Sequence, residues 1–383
     1  MTDLVTSPRM PRAVELATTT PLGERCDGSG SIRAPEDLHD DPGRPFGCGR
    51  SDPSPKPTWC AMSVTVGIDI GGTKIAGGLV DLEGMVLARA RRETPARSSG
   101  GIVSAVIDVV HELAAAAKKS GMGEIQAVGL GAAGLVDETR SIVHFAPNVN
   151  WDEEPLGAEV SAGCGLPVIV ENDANAAAWG EFRFGAGRGA HAMVAVTVGT
   201  GIGGGIIHRD RLVRGSFGMA AEFGHIVKVP DGRLCGCGKR GCWEQYASGN
   251  ALLRAARELA SERRADAAVL LGLGDGTPEG VIGQHVTWAA REGDPVALEA
   301  FAAVGGWLGT GLADVAALLD PEVFVIGGGV SEAGDLLMVP ARAAFESALV
   351  ARDHRPVAAV VSASLGNDAG LIGAADLARD LSL

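Results

Sequence analysis

The sequence has little positive charge. Its 383 residues include 33 Lys and Arg against 47 Asp and Glu, which leaves a net charge of -14. Nucleic acids and anionic membranes repel an acidic surface. The charge balance therefore argues against both as partners.

The sequence also lacks the marks of an exported protein. The first thirty residues contain no basic segment followed by an apolar run, which a secretory signal requires. The most membrane-like stretch, Ala190 to Ile207, is interrupted by repeated glycines, so we interpret it as two buried strands joined by a turn. Seven cysteines, an odd number, argue against a disulfide framework. We therefore expect a cytoplasmic protein.

Residues 1–61 lack any sustained apolar periodicity and carry nine of the 19 prolines. Such a segment buries too little apolar surface to offset the entropy lost on ordering, so we predict disorder. Strand-like sequence begins directly after Met62. One hypothesis is that residues 1–61 precede the true translation start, and the alternative is a regulatory tail.

What the sequence does have is a dense set of metal ligands between Glu222 and Glu244. The set consists of His225, Cys235, Cys237 and Cys242. One imidazole and three thiols form a closed tetrahedral set that suits structural Zn²⁺, and the glycines between them let the loop fold back. A zinc ion would bring the two flanking glutamates together. The alternative is a surface loop with incidental thiols.

Apolar patterns alternate between strands and helices along the rest of the chain. Strands are predicted at Val64–Ile70, Ile75–Asp81, Val86–Glu93, Ala127–Gly131, Pro167–Val170, Ala192–Val198, Ile206–Asp210, Val323–Ile326 and Ala358–Ser362. Helices are predicted at Gly101–Lys119, Ala174–Phe184, Asn250–Arg264, Gly283–Glu292, Pro295–Leu319 and Ala369–Leu381. Because the opening strand-turn-strand unit recurs after Ala192, we predict an α/β chain of two related halves with a ligand cleft between them.

Glycine-rich turns follow three of these strands. They comprise Gly71, Gly72, Thr73 and Lys74 after Asp69, then Gly199 to Gly205 with Thr200 and Gly201, and finally Gly327, Gly328 and Gly329. The turns match neither the P-loop pattern nor the dinucleotide fingerprint. Each alone fits a plain hairpin, but exposed backbone N–H groups also bind phosphate. Two such turns at matching positions of a duplicated chain favour nucleotide binding.

Asn172 and Asp173 follow a predicted strand and open a helix. Asp173 fits a helix N-cap, but strand ends in α/β folds also face the ligand cleft. A carboxylate there can act as a general base, and the Asn172 amide can pair with sugar hydroxyls. If one nitrogen of His225 binds zinc, the other is directed to a substrate hydroxyl or to a backbone carbonyl.

The motifs together resemble those of the ROK family of sugar kinases, repressors and open reading frames. They are DIGGTK (69–74), ENDAN (171–175), GTGIGGG (199–205), ExGH (222–225), CGCGKRGCWE (235–244) and IGGG (326–329). The resemblance covers residues 62–383 and is strongest to the family's bacterial ATP-dependent glucokinases. It implies a duplicated hexokinase/actin-like (ribonuclease H-like) fold with an interdomain cleft, and a homodimer or homotetramer. The implied domains are 62–185, 186–368 with the zinc motif, and a helix at 369–383 that returns to the first domain.

The resemblance also implies roles for individual residues in the transfer of the ATP γ-phosphoryl group to the 6-hydroxyl of glucose. Asp173 corresponds to the catalytic base. The sugar-binding residues correspond to Asn148, Asn172, Asp173, Glu222, His225 and Glu244, and the zinc ligands to His225, Cys235, Cys237 and Cys242. Gly71, Gly72, Thr73, Lys74, Thr200 and Gly201 correspond to phosphate loops, and Gly327, Gly328 and Gly329 to the adenosine side. Asp69 corresponds to the residue that orders Mg²⁺, directly or through water.

Three alternatives remain within this resemblance. A repressor would carry a DNA-binding helix-turn-helix before the sugar domain, but residues 1–61 show no paired helices. A different sugar, such as fructose or an N-acetylhexosamine, fits the same hydroxyl-binding residues. Polyphosphate is a possible phosphoryl donor, although relatives that use it typically lack the cysteine cluster, which favours ATP.

Overall fold

The computed structural model describes residues 63–95, 99–146 and 149–380. The predictions for residues 1–61 and for Asn148 lie outside these ranges. The strands are β1 Val64–Ile70, β2 Lys74–Val80, β3 Val86–Glu93, β4 Ile125–Ala132, β5 Leu135–Val136, β6 Val143–Ala146, β7 Trp151–Glu154, β8 Val168–Asn172, β9 Ala192–Val198, β10 Ile202–His208, β11 Arg211–Leu212, β12 Val323–Gly327 and β13 Ala359–Ser362. The helices are α1 Ser99–Ser120, α2 Leu156–Cys164, α3 Asp173–Phe184, α4 Glu244–Ala247, α5 Gly249–Glu262, α6 Ala268–Gly272, α7 Gly283–Arg291, α8 Pro295–Leu319, α9 Asp335–Ala348 and α10 Ala369–Leu377.

Two sheets of the same topology confirm the predicted duplication. Their strand orders are β3-β2-β1-β4-β8 and β11-β10-β9-β12-β13. In each, the first strand pairs antiparallel with the second and parallel with the strand that follows the next helical region. Strands β5, β6 and β7 form a small third sheet. An alternation of strands and helices given twice therefore builds two related α/β halves.

The second glycine-rich segment is only partly a turn, so its predicted extent was wrong. Strand β10 begins at Ile202 rather than Ile206, which places Gly203 and Gly205 inside a strand. A Cβ at Gly203 would lie 3.0 Å from the Cβ of Ala174, and one at Gly205 would lie 2.5 Å from the Cβ of Ala178. These glycines let α3 approach the sheet closely, which is a known reason for glycine inside a strand.

Helix α9 was not predicted, because Pro340 interrupts its pattern. Proline removes a backbone donor and clashes with the preceding turn, yet Pro340 lies inside the helix. A Cβ on Gly305 of α8 would lie 2.6 Å from the Pro340 ring, so the two helices pack closely there. Tertiary packing against α8 therefore stabilises a helix that its own sequence disfavours.

Helix α10 packs across the first sheet through glycines. A Cβ at Gly67 of β1 would overlap the carbonyl oxygen of Leu371, and one at Gly129 of β4 would overlap that of Ala374. The last helix thus lies against the strands that open the fold. It ends at Leu377 rather than at Leu381, and the domain limits at 185 and 368 remain predictions.

Substituting Gly129 by alanine should destabilise the fold through this contact. Because the added methyl group meets backbone rather than a movable side chain, we expect a loss of about 2–3 kcal/mol in the free energy of unfolding. Urea unfolding monitored by circular dichroism would measure it. Gly306→Ala, in the interior of α8 where a Cβ meets open space among the described residues, is the matched control and should stabilise by roughly 0.5–1 kcal/mol. Equal stability of the two variants would contradict the interpretation.

Helices α1 and α8 are long and apolar enough to cross a membrane by length and composition. Helix α1 buries Val106 and Leu113, and α8 buries Phe301 and Leu308. The core helices of soluble proteins pass the same test. The predicted absence of a membrane partner therefore remains a prediction.

Candidate active site

The carboxyl ends of the parallel strands in the first sheet bring two aspartates together. In the register of β1, β4 and β8, Asp69 pairs with Gly131 and Gly131 with Glu171, and Asp173 begins α3 just beyond β8. Burial raises the pKa of Asp69 to about 6, with a further increase from the charge of Asp173 and an opposing effect of Lys74. The two carboxylates therefore lie close enough to influence each other.

Asn172, rather than Asp173, caps helix α3. Its Oδ1 accepts hydrogen bonds of 3.0 Å from the N–H groups of Ala174 and Asn175, and its Nδ2 donates to the carbonyl oxygen of Gly134 at 3.1 Å. Most of the Asn172 amide is thus engaged within the protein, and its role in sugar binding stays a prediction. Because Asn172 supplies the cap, Asp173 does not need to serve as one.

Asp173 lies in the first turn of α3 with a raised pKa. Burial is the main cause, and a 2.8 Å hydrogen bond from the N–H of Ala174 to its Oδ1 opposes the increase. A carboxylate with a raised pKa accepts a proton more readily at neutral pH. The environment of Asp173 is therefore the one that the predicted general base needs.

The second half of the chain contributes two glutamates and a histidine. The His225 Nε2 lies 3.9 Å from an oxygen of Glu222, and its Nδ1 lies 3.9 Å from an oxygen of Glu244. Burial raises the pKa of Glu222; His225 opposes the increase, while Asp173 and Glu244 add to it. The structure thus places His225 between Glu222 and Glu244, with Asp173 close enough to raise the pKa of Glu222. Their role in sugar binding stays a prediction.

A buried tryptophan anchors this part of the site. Trp243 is 1% exposed, and its indole N–H donates to the carbonyl oxygen of Trp307 at 2.8 Å. Its ring lies directly against Gly311 of α8. Because Glu244 is the next residue, this packing fixes the backbone from which the Glu244 side chain extends.

The four predicted metal ligands converge. Their ligand atoms all lie within 4.8 Å of one another, with 3.6 Å between the sulfurs of Cys237 and Cys242 and 3.6 Å between the Cys235 sulfur and the Nδ1 of His225. A zinc tetrahedron with bond lengths near 2.3 Å to sulfur and 2.0 Å to nitrogen has edges of roughly 3.5–3.8 Å. The residues therefore fit Zn²⁺. Gly238 and Gly241 turn the loop with φ of 89° and 76°, values that favour glycine.

The first glycine turn is rigidly supported. The N–H of Gly71 donates to the carbonyl oxygen of Lys74 at 2.9 Å, and the hydroxyl of Thr94 donates to the carbonyl oxygen of Gly71 at 2.6 Å. Gly72 and Thr73 remain exposed at the tip. Exposed backbone donors on a fixed turn are suited to phosphate oxygens.

The second and third glycine turns are neighbours. The N–H of Gly199 donates to the carbonyl oxygen of Gly201 at 3.0 Å, and the N–H of Val330 donates to the carbonyl oxygen of Val198 at 3.0 Å. A Cβ at Gly201 would overlap the Glu244 carboxylate. The Thr200–Gly201 turn therefore lies between the Gly327–Gly329 turn and the side chains expected to hold a sugar.

The assembled site has a distinctive chemistry. Four carboxylates, those of Asp69, Asp173, Glu222 and Glu244, are linked pairwise by the effects on pKa values described above. Carboxylates accept strong hydrogen bonds from hydroxyl groups and attract divalent cations. Together with the glycine turns, they suit a polyhydroxylated ligand next to a phosphate-bearing one.

Comparison with known proteins decides the family. A family model described as the ROK family matches residues 65–381.

The chain belongs to the ROK family.

Similar members of the ROK family include glucokinases. The chain is 54% identical over 320 residues to a glucokinase of Streptomyces coelicolor, covering 83% of this chain and 98% of the relative. It is 37% identical over 317 residues to a glucokinase of Thermotoga maritima, covering 82% of this chain and 97% of the relative. The crystal structure of a ROK family glucokinase from Streptomyces griseus in complex with glucose and AMPPNP superposes with a TM-score of 0.75 at 54% identity, covering 83% of this chain and 100% of that one. The predicted hexokinase/actin-like fold is thereby confirmed.

Sequence reasoning missed one buried charge cluster of this ROK protein. Glu171 is fully buried and pairs with Arg140 and Arg214. Both arginines also line a cavity of about 670 Å³, whose described lining does not include the predicted site residues. No short sequence motif indicates these ion pairs, because the partners are far apart in the sequence.

Asp69 leads us to expect opposite effects of acid on activity and on stability. Folding raises its pKa from 3.8 to about 6, so the folded protein binds this proton more tightly than the unfolded chain does. The resulting destabilisation is full above about pH 6 and is relieved as the pH falls towards 3.8. If Asp69 orders Mg²⁺ as predicted, activity should fall over the same range, because a protonated carboxyl group loses the charge that attracts a cation.

Asp69→Asn separates the two effects. We expect this variant to be slow at every pH and to lose the gain in unfolding free energy that Asp69 gives on acidification. Urea unfolding and kcat/KM for ATP, each followed from about pH 7.5 to pH 5, would measure both. An unfolding free energy with the same pH dependence in both proteins would contradict the prediction.

Proposed function

We propose that this chain is an ATP-dependent glucokinase that transfers the γ-phosphoryl group of ATP to the 6-hydroxyl of glucose. The observation that carries the proposal is the convergence of Asp173 with Glu222, His225 and Glu244 beside the Thr200–Gly201 turn. The similarity to glucokinases over nearly their whole length supports it.

Asp173 acts as the general base in this proposal. As the 6-oxygen of glucose forms its bond to the γ-phosphorus, the bond to the β,γ-bridging oxygen breaks and ADP leaves. The proton of the 6-hydroxyl passes to the Asp173 carboxylate, whose pKa is raised by burial. Phosphoryl transfer depends on positioning and charge neutralisation more than on covalent chemistry.

The sugar is held by acceptors from both halves of the chain. Glu222 and Glu244 accept hydrogen bonds from hydroxyl groups, and the Nε2 side of His225 faces the same space as Glu222. Asn172 contributes its remaining amide hydrogen. Asn148, by the resemblance, is a further sugar-binding residue.

The glycine turns hold the nucleotide. Gly71, Gly72, Thr73 and Lys74 bind phosphate from the first half, and Thr200 and Gly201 from the second. Gly327, Gly328 and Gly329 lie next to them on the adenosine side. Asp69 would order Mg²⁺, which would supply positive charge to neutralise the phosphates.

His225, Cys235, Cys237 and Cys242 would hold a structural Zn²⁺. Four protein ligands would leave the ion no open coordination position for water or substrate, so it could not act as a Lewis acid. A bound Zn²⁺ would supply a crosslink within the loop, and the crosslinked loop would hold Glu244 and His225 in place. The Nδ1 of His225 faces the sulfurs, which leaves Nε2 for the sugar side.

The test is formation of sugar phosphate by the full chain from Mg-ATP with glucose, mannose, fructose and N-acetylmannosamine, repeated with polyphosphate in place of ATP as the donor. We expect glucose and ATP to give the highest kcat/KM. A preference for an N-acetylhexosamine, or no turnover by folded, zinc-loaded protein, would contradict the proposal.

A cytoplasmic location and a homodimer or homotetramer remain predictions. Light scattering would measure the oligomeric state.

A further inference from the structure

Glu171 holds the chain on both sides of Asp173. It lies two residues before Asp173 and is fully buried. Its Oε1 accepts hydrogen bonds from the backbone N–H of Asn172 at 2.9 Å and from the Nδ2 of Asn175 at 3.1 Å. The carboxylate therefore braces the first turn of α3, on which Asp173 is carried.

Two arginines approach the other oxygen of Glu171. The Nε of Arg214 lies 2.7 Å from Oε2, and the Nε of Arg140 lies 3.4 Å from it, with side chains only 10% and 11% exposed. A buried carboxylate is costly unless it is paired, but one arginine already balances its charge. The need to neutralise the charge of Glu171 therefore does not by itself explain why Arg214 is also placed there.

Arg214 comes from the other half of the chain. It follows β11 of the second sheet, and its terminal nitrogens donate to the carbonyl oxygens of Asp137 at 2.8 Å and Glu138 at 3.1 Å. One guanidinium thus donates hydrogen bonds to two carbonyl oxygens and forms an ion pair with a third oxygen, that of Glu171, and all three oxygens belong to the first half. The planar fork of arginine permits this, and the single ammonium of lysine does not.

The segment after Arg214 leads directly to the sugar site. The N–H of Ala220 donates to the carbonyl oxygen of Arg214 at 3.0 Å, which closes the loop of residues 214–220. Gly218 of this loop lies against the backbone of Val136 and Asp137. Glu222 follows two residues after the loop closes, so the anchoring of Arg214 also anchors Glu222.

We propose that Arg214 and Glu171 are positioning residues that set the separation of Asp173 and Glu222 across the substrate cleft. The inference rests on the proposed glucokinase activity and deepens it. One end of the ion pair fixes the general base, and the other fixes an acceptor of the sugar hydroxyls. Without the pair the sugar still binds, but its 6-hydroxyl is displaced from Asp173, and a displacement of about 1 Å costs on the order of 100-fold in rate.

Arg214→Met is the main test. It leaves Glu171 paired with Arg140, so no buried charge is stranded and the variant should fold. We expect kcat to fall by about 10- to 100-fold and KM for glucose to rise, with KM for ATP nearly unchanged. Arg214→Lys keeps the charge but not the fork, and should recover part of the loss. Because the two residues act as a unit, Glu171→Gln with Arg214→Met should be little slower than Glu171→Gln alone.

The matched control is Arg263→Met, which removes an exposed ion pair with Glu299 and should leave kcat and thermal stability unchanged. A folded Arg214→Met with wild-type kcat and glucose KM would overturn the inference, even with a lowered melting temperature, and so would losses that multiply in the double variant. If the methionine variant does not fold, the lysine variant decides by the same criteria. Wild-type protein that binds glucose by calorimetry without turning it over would refute the proposed function separately, and the glucose Kd of the variants would still test the positioning.

Discussion

Asp173→Ala is expected to lower kcat for glucose by about 10²–10⁴-fold, the usual contribution of a general base. The Kd for glucose should change little, because Glu222, His225 and Glu244 still supply acceptors and donors for the other hydroxyls. Steady-state ADP formation and calorimetric glucose binding would measure the two effects. Asp173→Asn should be as slow as the alanine variant, since an amide keeps the shape but cannot take the proton.

Two comparisons sharpen this prediction. Asp266→Ala, at an exposed residue near the end of α5, should retain full activity. The thermal stability of Asp173→Ala should not be lower than that of the wild type, because removal of a carboxylate with a raised pKa relieves a desolvation cost. Activity of Asp173→Ala close to that of the wild type would refute the assignment of the base.

Cys237→Ser is expected to release the metal. Removing one of four ligands should weaken zinc binding by more than roughly 100-fold, because even second-shell changes cost about 10–100-fold. Zinc content should fall from about one ion per chain to a small fraction of it, with loss of glucose phosphorylation because the loop no longer holds Glu244 and His225. Atomic absorption and the coupled ADP assay would measure both.

Cys164→Ser is the natural control for this substitution. Cys164 is a half-buried free thiol at the end of α2, away from the cluster, so its variant should keep both zinc and activity. Prolonged chelation of the wild type should reproduce the Cys237→Ser phenotype and lower the melting temperature. One zinc ion per chain retained in Cys237→Ser would contradict the ligand assignment.

The elements predicted best from the sequence are those whose signals are local. Helix α8 was predicted to run from Pro295 to Leu319, as it does. Asp294 caps it by accepting from the N–H groups of Val296 and Ala297, and proline suits the first helical position. Where local signals conflict with packing, prediction fails. The extent of the glycine-rich turn before β10 was predicted wrongly, and the helix that contains Pro340 was not predicted at all.

The candidate site also combines features that local sequence predicts with contacts that it does not. The convergence of the candidate metal ligands was predictable because three thiols and one imidazole fall in one short segment. The position of Asp173 was predictable because a strand end followed by a helix start is visible in the sequence. The anchoring of Glu171 by Arg140 and Arg214 was not predictable. Such pairs join residues far apart in the chain, and their energy depends on burial that only the folded state creates.

The sequence by itself determined the family and the two related α/β halves, and it predicted the candidate site residues, because each follows from a motif or a periodicity within a few tens of residues. Only the tertiary structure decided that Asp69 lies beside Asp173, that Asn172 rather than Asp173 caps α3, and that Arg214 ties the two halves together. These relations depend on the register of parallel strands and on the close packing of α3 against β10. Strand register and helix packing both relate segments that are far apart in the chain, so they are established only when the sheets form and pack.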